Sequence, residues 1–135
     1  MVNWALYDGC KEFGVTAHIM NELIDNGQII KVVRFKIDQG ESIISLIDKT
    51  KKYSLNLFRE IVSQIINNKV QNIKNYFPKN NEKWNGIAKT IKEVDEISQI
   101  KLGIKKEELE KRIKAFHLND YPIYIEIEGK RFIYQ

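Results

Sequence analysis

A chain of 135 residues, 43% apolar and 30% charged with only two prolines, is long enough to bury a core and too apolar to stay disordered, and its length bounds it to one domain or two very small ones. The stretch from Met1 to Cys10 has no basic segment and is interrupted by Asp8, and no apolar run approaches a bilayer span, so a cytoplasmic protein without a membrane partner is expected. The lone cysteine, Cys10, can close no internal disulfide, which fits a reducing compartment.

Residues 4–13 place Leu6, Cys10 and Phe13 at helical spacing, and Gly14 offers the left-handed residue that ends a helix cheaply. Thr16 predicts the cap of a second helix, Ala17 to Asp25, whose apolar stripe is Ile19, Met20, Leu23 and Ile24 and which Asn26-Gly27 stops. Gln28 to Ile37, rich in Ile and Val, reads as a strand turned at Asp38-Gln39-Gly40, while Glu41 to Ile47 fits either a return strand or a short helix.

From Ser54 the spacing of Phe58, Ile61, Val62, Ile65, Ile66, Val70, Ile73 and Phe77 predicts a long amphipathic helix, broken at Phe77-Pro78-Lys79-Asn80-Asn81. A helix from Trp84 to Ile100, a turn at Leu102-Gly103-Ile104 and a helix from Lys105 to Phe116 follow. Tyr121-Pro122 leads into a hairpin, Ile123 to Ile127 and Lys130 to Tyr134, turned at Glu128-Gly129. Phe13-Gly14-Val15 and Leu102-Gly103-Ile104 form a weak echo, consistent with two related units flanking the central helix.

The formal net charge of +4 is unevenly spread: residues 49–92 hold ten Lys or Arg against two Glu, whereas residues 1–48 hold four against seven. The basic segment is interleaved with Tyr53, Phe58, Tyr76, Phe77 and Trp84. Such a stretch is either a solvated helix face or the footprint of a protein that meets phosphate.

The segment Tyr7-Asp8-Gly9-Cys10-Lys11-Glu12-Phe13-Gly14-Val15-Thr16-Ala17-His18-Ile19-Met20-Asn21-Glu22-Leu23-Ile24-Asp25-Asn26-Gly27 resembles the helix-turn-helix of the MerR and excisionase-like DNA-binding families. In that resemblance Cys10 is the small residue that lets the second helix approach, Gly14 makes the turn, and Phe13, Val15, Met20 and Leu23 close the core. It implies that Ala17 to Asp25 lies in the major groove with Thr16, Ala17, His18, Asn21 and Glu22 facing the bases, and that Gln28 to Ile37 is a wing. The second helix has no Lys or Arg, so phosphate contacts are expected from Lys31, Arg34 and Lys36 on the wing and from Lys49, Lys51, Lys52, Lys69, Lys74, Lys79 and Lys83.

Signals for chemistry are few. Cys10, His18 and His117 are isolated from one another, and no Cys/His pair has metal-ligand spacing, so no catalytic residue, metal or cofactor is expected. Asp120 followed by Glu128-Gly129-Lys130 imitates a nuclease metal site, but Glu128-Gly129 is more economically a turn. Tyr121, Tyr124, Phe132 and Tyr134 suit cross-strand packing or base stacking.

The expected fold is therefore α+β. Residues 1–48 form a winged helix-turn-helix unit, 49–77 a basic central helix, and 78–135 a helical unit with a terminal hairpin, the three together making up one compact domain or separate units. The leading expectation is a small non-enzymatic DNA-binding regulator of phage or mobile-element type, with double-stranded DNA as partner and the central helix suited to homodimerisation. A protein-binding inhibitor of a host nucleoprotein is the runner-up, and a metal nuclease the remote alternative.

Overall fold

The computed structural model describes residues 2–23, 26–78, 81–84, 89–118 and 122–135. Two compact units emerge, one from Met1–Lys11, Ile37–Ile47 and Ile87–Gln135, the other from Glu12–Lys36 and Asp48–Gly86.

In the first unit, α1 (Val2–Tyr7) ends where Gly9, at φ 67°, takes the left-handed conformation that lets the Cys10 amide return to the Ala5 carbonyl at 2.9 Å. The helix therefore stops before Phe13 is reached, and Cys10 is exposed rather than buried in a helix-helix contact. The unit's core is Val94, Ala115, Phe116 and Ile123, with Trp4, Leu6, Tyr7, Ile97, Ile100 and Ile113 packed around it. Trp4, Tyr7 and Phe116 meet edge to face with centroids 5.1 to 5.8 Å apart, which fastens α1 to α5.

Still in this unit, Ser42 and Glu41 begin the helix that the sequence left undecided: Ser45 N–H donates to Ser42 Oγ at 3.1 Å and Ser45 Oγ to Glu41 at 2.6 Å. That helix, α2, is continuous from Ile43 to Asn67, and its residues from Asp48 onward belong to the second unit. It begins well before Ser54 and does not reach Phe77. Lys69 takes φ 50°, and a separate turn, α3 (Ile73–Tyr76), restarts under an Asn72 cap.

Helix α4 runs only from Ile91 to Ser98, because Thr90 and Glu93 form a capping box there; Trp84 is not helical, and Ile87 lies outside the described residues. β3 (Gln99–Ile100), α5 (Lys106–Phe116), β4 (Tyr124–Ile127) and β5 (Lys130–Ile133) complete the unit. The sheet order is β3-β4-β5, parallel then antiparallel, turned at Glu128 (φ 48°) and Gly129 (φ 72°). The echo between Gly14 and Gly103 is not a repeat. Gly103 sits in a turn at φ 84°, whereas Gly14 sits inside a strand.

In the second unit, β1 (Glu12–His18) pairs antiparallel with β2 (Ile29–Lys36), in register Phe13 with Phe35 and Val15 with Val33. The helix-turn-helix expectation fails here for a local reason. Phe13, Val15 and Ala17 alternate with Glu12, Gly14 and Thr16, a period-two pattern whose apolar face is the one buried against α2. Phe35 stacks on Tyr53 of α2 with centroids 4.4 Å apart, and Val15, Phe35 and Leu57 are buried. Residues 12–18, a third of the supposed helix-turn-helix segment, are thus a strand, and Ile24 and Asp25 lie outside the described residues.

Among the described residues no helix is long and apolar enough to cross a membrane.

Candidate functional site

The hairpin's other face carries the polar groups. Glu12, Gly14, Thr16, Val32 and Arg34 project away from α2, and the Glu82-Lys83-Trp84 segment lies over them. Between them is a cleft of about 420 Å³, with Phe13 and Ile29 completing its wall. A side chain at Gly14 would bring its Cβ to 3.2 Å from the Val33 carbonyl oxygen, so this floor position favours glycine.

At the loop end of the hairpin the ladder is irregular. Ala17 pairs with Lys31, but His18 pairs with Ile29, skipping Ile30. A bulge of this kind re-aims the side chain beside it, and the residue it re-aims is a histidine. Beyond it the chain is drawn together at a neck, where Ile19 N–H donates to the Gln28 carbonyl at 2.9 Å and Gln28 Nε2 donates to the Phe77 carbonyl at 3.2 Å.

Gly27 is buried in this neck, and any Cβ there would fall 1.6 Å from the Ile19 carbonyl oxygen, so no other residue fits. Trp84 closes the third side: its Nε1–H donates to the Gly27 carbonyl at 2.7 Å, and its ring meets the His18 imidazole edge to face, centroids 4.9 Å apart at 89°. His18 Nδ1 lies 3.4 Å from the Ile19 carbonyl oxygen; in the tautomer with its proton on Nδ1 this contact is a hydrogen bond and Nε2 is the ring's acceptor.

Charge along the cleft is nearly balanced. Arg34 donates to both oxygens of Glu82, each at 2.7 Å. These hydrogen bonds, and then the carboxylate's charge, push the guanidinium further up, with Glu12 adding to the effect, and the same bonds hold the Glu82 carboxyl below its usual range. Lys83 and Glu12 complete the ionic lining.

The residues expected to read bases divide between strand and loop. Thr16, Ala17 and His18 are on β1, and Asn21 and Glu22 are exposed beyond the neck, where Asn21 Oδ1 accepts from the Leu23 amide at 3.0 Å. Of the residues expected at phosphate, Lys31 pairs with Glu60, Arg34 with Glu82 and Lys51 with Asp48. Lys49 donates to the Lys36 carbonyl, whereas Lys52, Lys69, Lys74 and Lys83 are exposed. Lys79, Asp120 and Tyr121 lie outside the described residues. Sequence reasoning named His18 and Arg34 for other reasons and missed Gly27, Glu82 and Trp84 as site residues. Among the described residues no group of three or more His, Cys, Asp or Glu is placed to hold a metal ion.

Known proteins resemble this chain along most of its length. Residues 1–62, which span α1, the hairpin with its connecting segment and most of α2, match the family described as Formyl transferase. The chain is 30% identical over 131 residues to a methionyl-tRNA formyltransferase of Bacillus thuringiensis (strain Al Hakam), a match covering 96% of this chain and 38% of that protein. Among solved structures, a 4-N formyltransferase from Francisella tularensis superposes with a TM-score of 0.77 at 21% identity, over 98% of this chain and 53% of that one. An N-formyltransferase from Helicobacter canadensis, in complex with folinic acid and dTDP-3-aminofucose, superposes with a TM-score of 0.65 at 24% identity, over 96% and 46%. The chain thus spans 38% of that methionyl-tRNA formyltransferase and about half of each of these two solved chains.

These likenesses overturn the reading as a DNA-binding regulator. The fold is that of a portion of the α/β formyltransferases, not a winged helix-turn-helix, and the MerR and excisionase resemblance does not hold. The similar chains are enzymes, so the expectation of a non-enzymatic protein with DNA as its partner falls, as do the inhibitor and nuclease alternatives.

Proposed function

We propose that this chain carries part of a formyl-transfer site, in which a formyl group passes from a reduced-folate donor to an amine. The observation that carries this reading is that the family match over residues 1–62 covers the whole bulged hairpin with its Ile19–Gln28 closure and Gly27, while identity to a methionyl-tRNA formyltransferase continues along 96% of the chain. The donor class is suggested by the folinic acid in the Helicobacter canadensis complex, and the acceptor class by the amines of methionyl-tRNA and of dTDP-3-aminofucose in the relatives' names. A cytoplasmic location suits this role and the free, exposed Cys10 thiol.

Formyl transfer needs an amine nitrogen to attack the formyl carbon, a tetrahedral intermediate to release the donor nitrogen, and a proton to leave the attacking nitrogen. His18 is suited to the last of these. With Nδ1–H directed at the Ile19 carbonyl, Nε2 is the nitrogen able to accept a proton. The bulge takes it out of the sheet's regular alternation, and the neck around Gly27 holds the strand ends that support it.

Titration of the chain with folinic acid, followed by amide and side-chain NMR, tests the reading. Saturable shifts at His18, Gly27 and the Trp84 indole N–H are expected; an unchanged spectrum, or shifts confined to the unit built from α1, α4 and α5, would count against it.

A further inference from the structure

His18 stands at the end of a strand, beside a bulge, where little in the ladder fixes its ring. Had the pairing of Ala17 with Lys31 continued regularly, His18 would have faced Ile30; it faces Ile29 instead, so its direction is no longer set by the alternation of the sheet. An imidazole in such a place samples several χ1 and χ2 wells unless something packs against it.

Trp84 packs against it. The indole meets the imidazole edge to face at 4.9 Å, and the same indole is anchored on its polar side by the 2.7 Å hydrogen bond to the Gly27 carbonyl. Gly27 is a rigid anchor because its α-carbon is pressed against the Ile19 carbonyl with no room for a side chain. The segment bearing Trp84 is fastened separately, by the two-pronged Arg34–Glu82 pair at 2.7 Å, to the middle of β2. The ring beside His18 is thus held at two points on the hairpin.

We propose that Trp84 is a positioning residue: it fixes the orientation of the His18 imidazole and the width of the neck, and the Arg34–Glu82 pair holds Trp84 in place to do so. The proposal rests on the formyl-transfer reading for its purpose, but the positioning itself can be measured without it.

The test uses the full chain, with the Trp and His rings observed by NMR in the natural protein and in Trp84→Phe, Trp84→Leu and the double variant Arg34→Gln, Glu82→Gln. In the natural protein the Trp84 indole N–H should exchange slowly and the His18 ring protons should be displaced by the indole ring current. Trp84→Leu should abolish that displacement, Trp84→Phe should keep part of it, and the double variant should speed exchange of the indole N–H. The stacked rings of Phe35 and Tyr53, in the same unit, report whether each variant is folded, and Trp84→Phe serves if Trp84→Leu is not.

Folinic acid affinity should fall by about tenfold in Trp84→Leu, which removes both the hydrogen bond to the Gly27 carbonyl and the ring beside His18, and by less in Trp84→Phe, which loses the hydrogen bond but keeps a ring there. Unchanged His18 ring signals in folded Trp84→Leu, or an unchanged indole exchange rate in the double variant, would overturn the proposal. So would undiminished folinic acid affinity in folded Trp84→Leu. If the natural protein binds no folinic acid, the formyl-transfer reading fails, while the His18 ring signals still decide the positioning.

Discussion

Phe35 of β2 lies flat on Tyr53 of α2, ring centroids 4.4 Å apart at 11°. This stack joins the apolar face of the hairpin to the helix and leaves the opposite face, with Arg34 and Thr16, free to line the cleft. Phe35→Ala should cost about 3–5 kcal/mol, and a double-mutant cycle with Tyr53→Ala should give a coupling of about 0.5–1.5 kcal/mol. Denaturant unfolding checks both; additive single effects would show that the stack contributes no more than burial.

Adjacent residues of α2 should behave oppositely. Leu57 is 5% exposed and Phe58 63% exposed. Leu57→Ala should lose about 2–5 kcal/mol by leaving a cavity, whereas Phe58→Asp should change stability by no more than about 0.5 kcal/mol. Thermal unfolding of the two variants side by side reads this directly.

The α1–α5 contact should depend on pH at both ends. Tyr7 OH and Arg112 Nε each donate to Glu108 Oε1 at 2.7 Å. The Arg112 hydrogen bond, then the one from Tyr7, holds the Glu108 carboxyl below its usual range, so its stabilisation is complete above the ordinary carboxylate pKa and fades as pH falls through the lowered one. Hydrogen bonding to Glu108, followed by burial, raises the Tyr7 phenol, so its contribution persists to neutral pH and beyond and is lost as pH climbs through the raised value. Glu108→Gln should lower stability at neutral pH by about 1 kcal/mol or less, given partial screening, and flatten the acid limb of the Tm–pH curve; Tyr7→Phe should flatten the alkaline limb.

Gly27→Ala should disrupt the neck outright, because the added carbon would sit 1.6 Å from the Ile19 carbonyl oxygen. Gly40→Ala is the control. Gly40 has open space around its Cβ position but takes φ 82°, so it bears conformational strain of about 1 kcal/mol without a collision. Far-UV circular dichroism and the His18 ring signals should change strongly only in Gly27→Ala.

What could be read from the sequence was local. The turn at Glu128-Gly129 and the start of α5 near Lys105 follow from turn chemistry and helix periodicity, and both are present. The first helix was extended to Gly14 because Leu6, Cys10 and Phe13 happen to share helical spacing. Gly9 ends it sooner, and the alternation of Phe13, Val15 and Ala17 was the signal for a strand. On α2 the apolar residues are spread so widely that periodicity alone favoured Phe58 and Ile66 for burial, yet these are 63% and 66% exposed. The neck was not legible at all, since it joins Gly27 to Trp84 across 57 positions and depends on a bulge that no spacing rule announces. Basic charge draws attention to residues 49–92, but within that segment Lys51, Lys89 and Lys92 lie beside carboxylates, so a count of charges overstates the surface available to phosphate.

The most direct test of the account is formyl transfer by a graft. Residues 1–135 replace the matching 131-residue stretch of the Bacillus thuringiensis methionyl-tRNA formyltransferase, and transfer of labelled formyl to methionyl-tRNA is measured beside a control graft from another methionyl-tRNA formyltransferase. The account predicts transfer by the graft, sharply reduced by His18→Ala and by Gly27→Ala. A folded graft that transfers nothing while the control graft is active would contradict it.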